Sequence, residues 1–580
     1  MTGQPDLDIT SDDRDAEGHS NGEPTQTDPP NTQQIAADSW EPNLLVIAPP
    51  GCGKTELLAM RAVALIPRLA PHQKILALTF TNRAKANLSD RLRQLLGPQR
   101  FRRYLTVRNF HGHATDLIKS HGRTLGLNPS ALTFPTTQTL SKALKRLSAD
   151  AAANRAAEER LGQVKLDLLD DIEVAAALDK IGDELALRVE RERVETGQLH
   201  YDDLLRHAQR LLHVDEIANL YHQHYGALLV DEFQDLSLQQ LDVVLRTCTT
   251  WRTFAGDPLQ GIYSWAGADP KTVEAGLRAL GGDPVELTVS YRSSPAVLDM
   301  VNGLSVTMGA TSLTAHDPEE WVGGGAAAAL TFNDRAKEAE VIFAIAAHIA
   351  TRDPTATLGI ITRSAGRRTA IDKAFAAAPK IPCRRWDLTI DDPLVRERIR
   401  RVVARLPRGA TVDEARRAAF AALDPSDVDT AEDLSNAFDE LAVQDGADAS
   451  ARQVLARYRH ADGDDEVAVG PGVHLLNAHT GKGQQFDWVF VCGLEKGQVP
   501  SYFSKTSAAI AEEKRVLLVM LSRARHGLVV TRVRTAHGRY GPFEVDPSPW
   551  FAGLQSTATM TGQHLADHIN TLYPDKEPRE

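Results

Sequence analysis

The chain has 580 residues, 42% apolar and 24% charged, the balance of a soluble globular protein too long for one compact core. Its formal net charge of −12 excludes a protein that coats nucleic acid over its whole surface, so any such contact has to be a local groove. Cys52, Cys248, Cys383 and Cys492 stand too far apart for a CxxC zinc ribbon or a cluster-binding loop, and no apolar run reaches a membrane-spanning length of about 18 residues; a reducing, cytoplasmic setting is expected.

Residues 1–30 form an acidic block in which eight carboxylates face one arginine, Arg14, among Pro, Gly and Ser. Such a segment cannot bury enough apolar surface to fold alone and is expected to be a disordered tail. From residue 43 short apolar runs alternate with helical stretches: Leu44–Ala48, Ile75–Phe80, Leu228–Phe233, Thr253–Asp257 and Val285–Tyr291. A second series follows at Ala329–Phe332, Leu358–Thr362, Val473–Asn477, Trp488–Cys492 and Leu528–Thr531. This rhythm predicts an α/β protein with two parallel sheets flanked by helices. The first unit takes residues 31–114 and 226–284, the second 285–389 and 469–580. Helix-rich inserts fill 115–225 and 390–468, and Gly470-Pro471-Gly472 reads as a hinge at the end of the second.

The strongest motif is Ala48-Pro49-Pro50-Gly51-Cys52-Gly53-Lys54-Thr55, set between an apolar strand and a helix. Its spacing fits a phosphate-binding loop apart from Ala48 in place of the first Gly. Gly51 and Gly53 let backbone N–H groups wrap phosphate oxygens at a helix N-terminus. Lys54 neutralises the outer phosphates and Thr55 offers a hydroxyl to Mg²⁺. Further on, Leu228-Leu229-Val230-Asp231-Glu232 is an apolar strand ending in two carboxylates. Asp231 suits Mg²⁺, and Glu232 suits a base for an attacking water.

With these in place the chain resembles the UvrD/Rep-type superfamily 1 DNA helicases, in motif order over nearly its whole length. Thr79-Phe80-Thr81-Asn82-Arg83-Ala84 resembles TFTNKAA, Asn109-Phe110-His111-Gly112 resembles TFHS, and Tyr201-Asp202-Asp203-Leu204-Leu205 resembles DFDDLL. Val230–Asp235 matches VDEFQD, Gly256–Trp265 resembles GDPxQSIYxW, and Ser290-Tyr291-Arg292-Ser293 resembles NYRS. His479–Gly483 resembles HxxKG, and Glu512–Arg515 with Ser522-Arg523-Ala524 resembles EERRL…TRA.

The resemblance implies two RecA-like P-loop units with Mg·ATP between them, working on single-stranded DNA and single-strand/duplex junctions. It implies that Pro50, Gly51, Cys52, Gly53, Lys54 and Thr55 hold ATP, that Gln33 reads adenine, and that Arg61 and Tyr291 sandwich the ring. It makes Gln260 a γ-phosphate sensor, and Arg292 and Arg523 arginine fingers from the second unit. It places Phe80, Asn82, Phe110, His111, Tyr263, Trp265 and His479 on the DNA, and the bulky Phe80 implies 3′-to-5′ movement.

The chain departs from the pattern at Ala266, Gln485, Asn477 and Leu518, none of them a phosphate-chemistry residue. The second insert is shorter than in full-length relatives. It carries an apolar stripe, Val395, Ile399, Val402, Val403 and Leu406, amid arginines that read either as a solvated face or as a small duplex-contacting arm. No nuclease signature follows Arg523, so DNA cutting is not expected. The alternatives are a translocase that unwinds poorly, or a regulatory ATPase partnered with a separate nuclease.

Overall fold

The computed structural model describes residues 32–135, 139–148, 150–263, 267–378, 380–386, 393–421, 434, 437–438, 441–442, 446–457, 469–538 and 541–574. The acidic tail, Trp265 and Ala266 lie outside them. Among the described residues no helix is long and apolar enough to cross a membrane.

Two six-stranded parallel sheets form the body. The first contains β1 (Asn43–Ile47), β2 (Lys74–Thr79), β3 (Leu105–Asn109), β4 (Tyr225–Asp231), β5 (Trp251–Gly256) and β6 (Val285–Glu286), in the order β3-β2-β4-β5-β1-β6. Its central strands are apolar along their length because helices cover both faces: β4 is buried at every position. A small pair, β7 (Val289–Ser290) and β8 (Thr314–Ala315), leads to the second unit. There β9 (Ala326–Phe332), β10 (Thr357–Thr362), β11 (Cys383–Arg385), β12 (Gly472–Asn477), β13 (Phe486–Cys492) and β14 (Ala524–Val533) assemble as β11-β12-β10-β13-β14-β9. A hairpin, β15 (Thr535–Gly538) and β16 (Gly541–Glu544), follows.

The first sheet is framed by α1 (Thr32–Asp38), α2 (Lys54–Leu65), α3 (Asn82–Tyr104) and α4 (Phe110–His121). Local chemistry fixes the entries to these helices. The Thr81 hydroxyl accepts from Ala84 N at the start of α3, and the Asn109 carboxamide accepts from Gly112 N at the start of α4.

Two sequence-based boundaries move. Val285–Glu286, assigned above to the second unit, pairs with Val46–Ile47 in the first sheet, and Leu287 N donates to Ile47 O at 2.9 Å. The first insert is also smaller than 115–225. Leu117 and Ile118 of α4 and Leu204, Leu205 and Leu211 near the chain's return share one core with Leu76, Leu228 and Phe254 of the first sheet. The separate core of the insert runs only from Leu144 to Val189, formed by α5 (Thr139–Leu147), α6 (Ala151–Val164), α7 (Asp171–Ile181) and α8 (Glu184–Thr196). Beyond it, α9 (Tyr201–Leu212) belongs to the first unit.

The second insert has its own core, built on Val395, Ile399 and Val403 packed against Val412, Ala415, Phe438 and Val454. The apolar stripe read from sequence is therefore the inner face of a helix there. Arg398, Arg401 and Arg405 are on its exposed side, and Arg408 is exposed just beyond its end.

Candidate active site

The phosphate loop leaves the C-terminal end of β1, flanked by β5 and β6, where the strand order changes direction. Ala48 N donates to Gly256 O at 2.7 Å and fastens the start of the loop to β5. Gly51 and Gly53 have φ of 85° and 76°, a left-handed backbone that side chains with a Cβ rarely adopt. Space demands glycine there too: a Cβ on Gly51 would lie 2.7 Å from Ser290 Oγ, and one on Gly53 would strike the Gln33 amide. The turn aims the first N–H groups of α2 at the loop's concave side.

Gln33, on α1, is buried and donates from Nε2 to Cys52 O at 2.7 Å, so it packs on the phosphate loop and not with the acidic tail. Burial pushes the Cys52 thiol up to about 12, with Asp257 adding to the rise. The thiol is thus neutral packing. The Cys52 backbone and Pro50 shape the turn.

Next to this loop β4 delivers Asp231 and Glu232. Glu232 has φ 59°, the only positive φ outside glycine among the described residues. Such strain costs roughly 1–3 kcal/mol and persists where the surroundings impose it. Lys54 Nζ lies 3.0 Å from Asp231 Oδ1 and contacts Glu232 Oε1. Gln234 Nε2 donates to Glu232 Oε2 at 2.6 Å, while Gln234 Oε1 accepts from Asp257 N at 3.0 Å. Burial opposes the charge of Glu232, but Lys54 and then Lys482 outweigh it and hold the carboxyl at about 2. For Asp231 burial wins over Lys54, and its carboxyl is raised. Burial alone would lower Lys54; the two carboxylates reverse that and hold the ammonium well above its ordinary range.

The second unit closes over this acid pair. Arg523 is buried and donates from Nη2 to Gln260 Oε1 at 3.1 Å; Gln260 Nε2 donates to Asp257 Oδ2 at 3.1 Å. Lys482 Nζ reaches both oxygens of Asp235 at 2.7 Å and Gln260 O at 2.8 Å. Arg515 Nε donates to Gly261 O at 2.7 Å, and Ile262 is buried in the core of the second unit. Burial, then the repulsion of Arg292, lowers Arg523 to about 9. Burial likewise lowers Arg292. Two cations disfavoured by their surroundings and aimed at one cleft form a receptor for a polyanion.

The cavity measures ≈ 530 Å³. Pro50, Gly51, Gly53, Lys54, Thr55, Asp231, Glu232, Gln260, Tyr291, Arg292 and Arg523 all line it. Thr55 and Asp231 offer hard oxygen donors, and a carboxyl raised by burial beside a second acid is one that a divalent cation would stabilise in its charged form. The donor set fits Mg²⁺.

Arg61 does not fit the role expected of it. It is fully buried, and its guanidinium donates to Thr253 Oγ1 at 3.3 Å and to the carbonyls of Ala37, Ser39 and Glu41. Seven residues along α2 from Lys54 correspond to about 10 Å of helix rise, which carries it away from the phosphate end. Arg61 ties α1 to α2 instead of offering a face to adenine. Tyr291 remains a half-exposed ring at the cavity mouth, packed 4.5 Å from His316.

The aromatic residues divide in the same way. Phe110 is 2% exposed and sits in the core of the first unit, a correction to its expected DNA contact; the alternation of α4 turns it inward. Phe80 is partly exposed, its ring 5.0 Å from Phe110, which props it from below. Asn82 Oδ1 accepts from Lys85 Nζ at 2.9 Å and Asn109 Nδ2 at 3.1 Å. His111 meets Tyr201 edge-on at 5.1 Å. Tyr263 lies 6.4 Å from His479 across the two units, with Lys482 4.5 Å above its ring. Asn477, one of the departures noted above, accepts from His479 N and Thr480 N and shapes the loop that presents His479.

Sequence reasoning passed over Lys482, Asp235, Gln234 and His316. Lys482 and Asp235 each sit inside a quoted motif, so the signal was a second charge beside each assigned one.

The UvrD/REP helicase N-terminal domain model matches residues 30–277, and the UvrD-like helicase C-terminal domain model matches 422–535. The chain belongs to the UvrD/Rep-type superfamily 1 helicases. Among its relatives, an ATP-dependent DNA helicase PcrA of Leuconostoc citreum is 28% identical over 289 residues, 47% of this chain and 38% of that protein. DNA helicase II of Escherichia coli is 28% identical over 47% of this chain and 39% of its own length. The ATP-dependent DNA helicase Rep of the same organism is 29% identical over 47% and 42%. The chain thus spans about two fifths of the length of the curated UvrD/Rep relatives it matches.

Proposed function

We propose that the chain is an ATP-dependent DNA helicase and translocase that steps 3′ to 5′ on single-stranded DNA. Its substrates are single strands and single-strand/duplex junctions, in the cytoplasm, in DNA repair or defence against foreign DNA. One observation carries the reading: the acid pair of one unit is wired to the other unit through Gln260–Arg523 and Asp235–Lys482.

ATP phosphates compete with Asp231 and Glu232 for Lys54. Drawing Lys54 away removes the cation that most depresses Glu232, so its basicity rises as substrate is engaged. Glu232 then accepts the proton of the attacking water. Thr55 and Asp231 would hold Mg²⁺, which would supply charge neutralisation at the phosphates. Arg523 and Arg292 approach the transferring phosphoryl group only when the units are closed, a contribution of roughly 10³–10⁵ in rate. Gln260 touches Arg523 and Asp257 and reports the γ-phosphate to both units. On the far side of the cleft, Phe80 and the Tyr263–His479 pair offer ring faces to bases. Stacking contributes about 1–3 kcal/mol per base and opening one base-pair step costs about 1.4, so few platforms suffice to hold a separated strand between ATP cycles.

The test is ATPase rate with and without single-stranded DNA, beside unwinding of 3′-tailed and 5′-tailed duplexes. DNA stimulation with unwinding of the 3′-tailed substrate alone is expected. Stimulation with no unwinding favours the second reading, a translocase or regulatory ATPase working with a separate nuclease. The compact core of the second insert, which among the described residues spans 395–455, supports that alternative. A rate indifferent to DNA would sink the helicase and translocase readings and leave the regulatory ATPase.

A further inference from the structure

Three loops follow neighbouring parallel strands at one edge of the second sheet: residues 478–485 after β12, Arg363 after β10, and residues 493–506 after β13. The third loop ends in an exposed aromatic pair. Tyr502 is 68% exposed and Phe503 88%. Their rings meet edge-on at 5.9 Å, and Lys505 Nζ sits 3.7 Å over the Tyr502 ring. Two adjacent aromatic rings this open to solvent are uncommon on a soluble protein and mark a contact surface.

The backbone beneath them is tightly held. Val499 is fully buried, Tyr502 N donates to Gly497 O at 3.0 Å, and Ser504 N donates to Ser501 O at 3.0 Å. Ser501 N donates to Glu513 Oε2 at 3.1 Å, and Glu513 Oε1 accepts from Arg363 Nη2 at 2.8 Å. Arg363 in turn is a charge felt by His479, whose ring faces Tyr263. Hydrogen bonds therefore run from Arg363 through Glu513 to the turn that carries the aromatic pair, and Arg363 is near enough to His479 of the proposed strand track for its charge to act on that ring. The turn thus presents both rings to solvent from a backbone that is held in place.

We propose that Tyr502 and Phe503 form an additional base-stacking platform for single-stranded DNA, with Lys505 set against the phosphate backbone, extending the strand track along the second sheet. The proposal rests on the DNA-translocase reading above. The occupant follows from two features: continuity with the Tyr263–His479 contact, and a cation seated on the aromatic face, the pairing of charge and π-surface that a single strand matches on both counts.

The test uses the full chain and fluorescein-labelled oligothymidylates of increasing length, followed by anisotropy. The wild-type protein must bind them and show DNA-stimulated ATPase; failure there refutes the functional reading itself. Given that binding, a Tyr502→Ala/Phe503→Ala variant is expected to bind long oligomers at least about tenfold more weakly, given stacking of about 1–3 kcal/mol per base. Its affinity for the shortest oligomers that bind, and its DNA-free ATPase, should match wild type. Lys505→Ala should lower the salt dependence of binding by about one ion. Both side chains are open to solvent, so their removal leaves packing intact. Equal affinity of variant and wild type at every length overturns the proposal and leaves the pair to a protein partner. An equal loss at all lengths overturns it too, because the effect would then not come from an extension of the track.

Discussion

Two buried charge clusters in the molecule are built from the same ingredients. In the first insert and its base, Lys165, Arg193 and Arg206 face Glu190, Asp203 and Asp171 with little or no exposure. Here the carboxylates win: Arg193 is raised despite burial, through Asp203 and Glu190, and Asp203 is held well below the usual range despite burial, through Lys165 and then Arg193. His207 is pushed down to about 3 by burial and Arg206, and adds no charge at neutral pH. Three cations balance three anions, and the cluster bolts α6, α7 and α8 to α9. In the cleft the carboxylates and Lys54 come from the first unit, while Arg292, Lys482 and Arg523 face them from the second. Burial lowers Arg523 and Arg292 while burial raises Asp231, Asp235 and Asp257. A cluster that satisfies itself holds structure together; one left under-compensated on both sides is shaped for a charged ligand.

The contrast predicts opposite phenotypes for two buried arginines. Arg523→Ala should lower DNA-stimulated kcat by roughly 10³–10⁵, about 4–7 kcal/mol in barrier, with the melting temperature unchanged or raised. A large drop in melting temperature would return Arg523 to the structural class. Arg193→Met removes one partner of a closed network. It should cost about 3–5 kcal/mol in stability, read by denaturant unfolding. The folded fraction should keep its ATPase within a few-fold. Near-native stability in Arg193→Met would break the distinction from the insert's side.

What could be read from the sequence follows the range of each interaction. The phosphate loop and acid pair are contiguous strand–loop–helix segments, so Lys54, Thr55, Asp231 and Glu232 declare themselves through neighbours in the chain. The parallel-sheet class was legible for the same reason, since buried strands such as β4 are unbroken apolar runs. Arg61 and Phe110 were misjudged because helix phase and tertiary packing, not motif membership, decide which way they point. Lys482 and Asp235 are separated by 247 positions, and nothing local tells either that the other exists. Val285–Glu286 is two residues long, and only pairing with β1 assigns it to a sheet.

That long-range contact supplies the subtlest prediction. Asp235 is raised from 3.8 to about 6, chiefly by burial, with Lys482 opposing the rise and Glu232 adding to it. In the unfolded chain its pKa is the ordinary one, so the native state takes up a proton between about pH 4 and 6. The buried charge of Asp235 therefore costs stability above pH 6, and that cost is relieved as pH falls. The contact across the cleft moves the other way: below about 6 the protonated carboxyl no longer attracts Lys482 as an ion, and closure weakens. DNA-stimulated ATPase should therefore fall several-fold as pH drops through about 6, while global stability does not fall on account of this group. Glu232 is held at about 2, but burial raises Asp231 and Asp257 and lowers His479, each toward this window, so the limb is assigned by substitution of Asp235 itself. Asp235→Asn should be slow at neutral pH and should lack the acidic limb, because its side chain has no proton to gain. An acidic limb of undiminished size in that variant would place the titration on another group and reduce the Lys482–Asp235 pair to a static clasp.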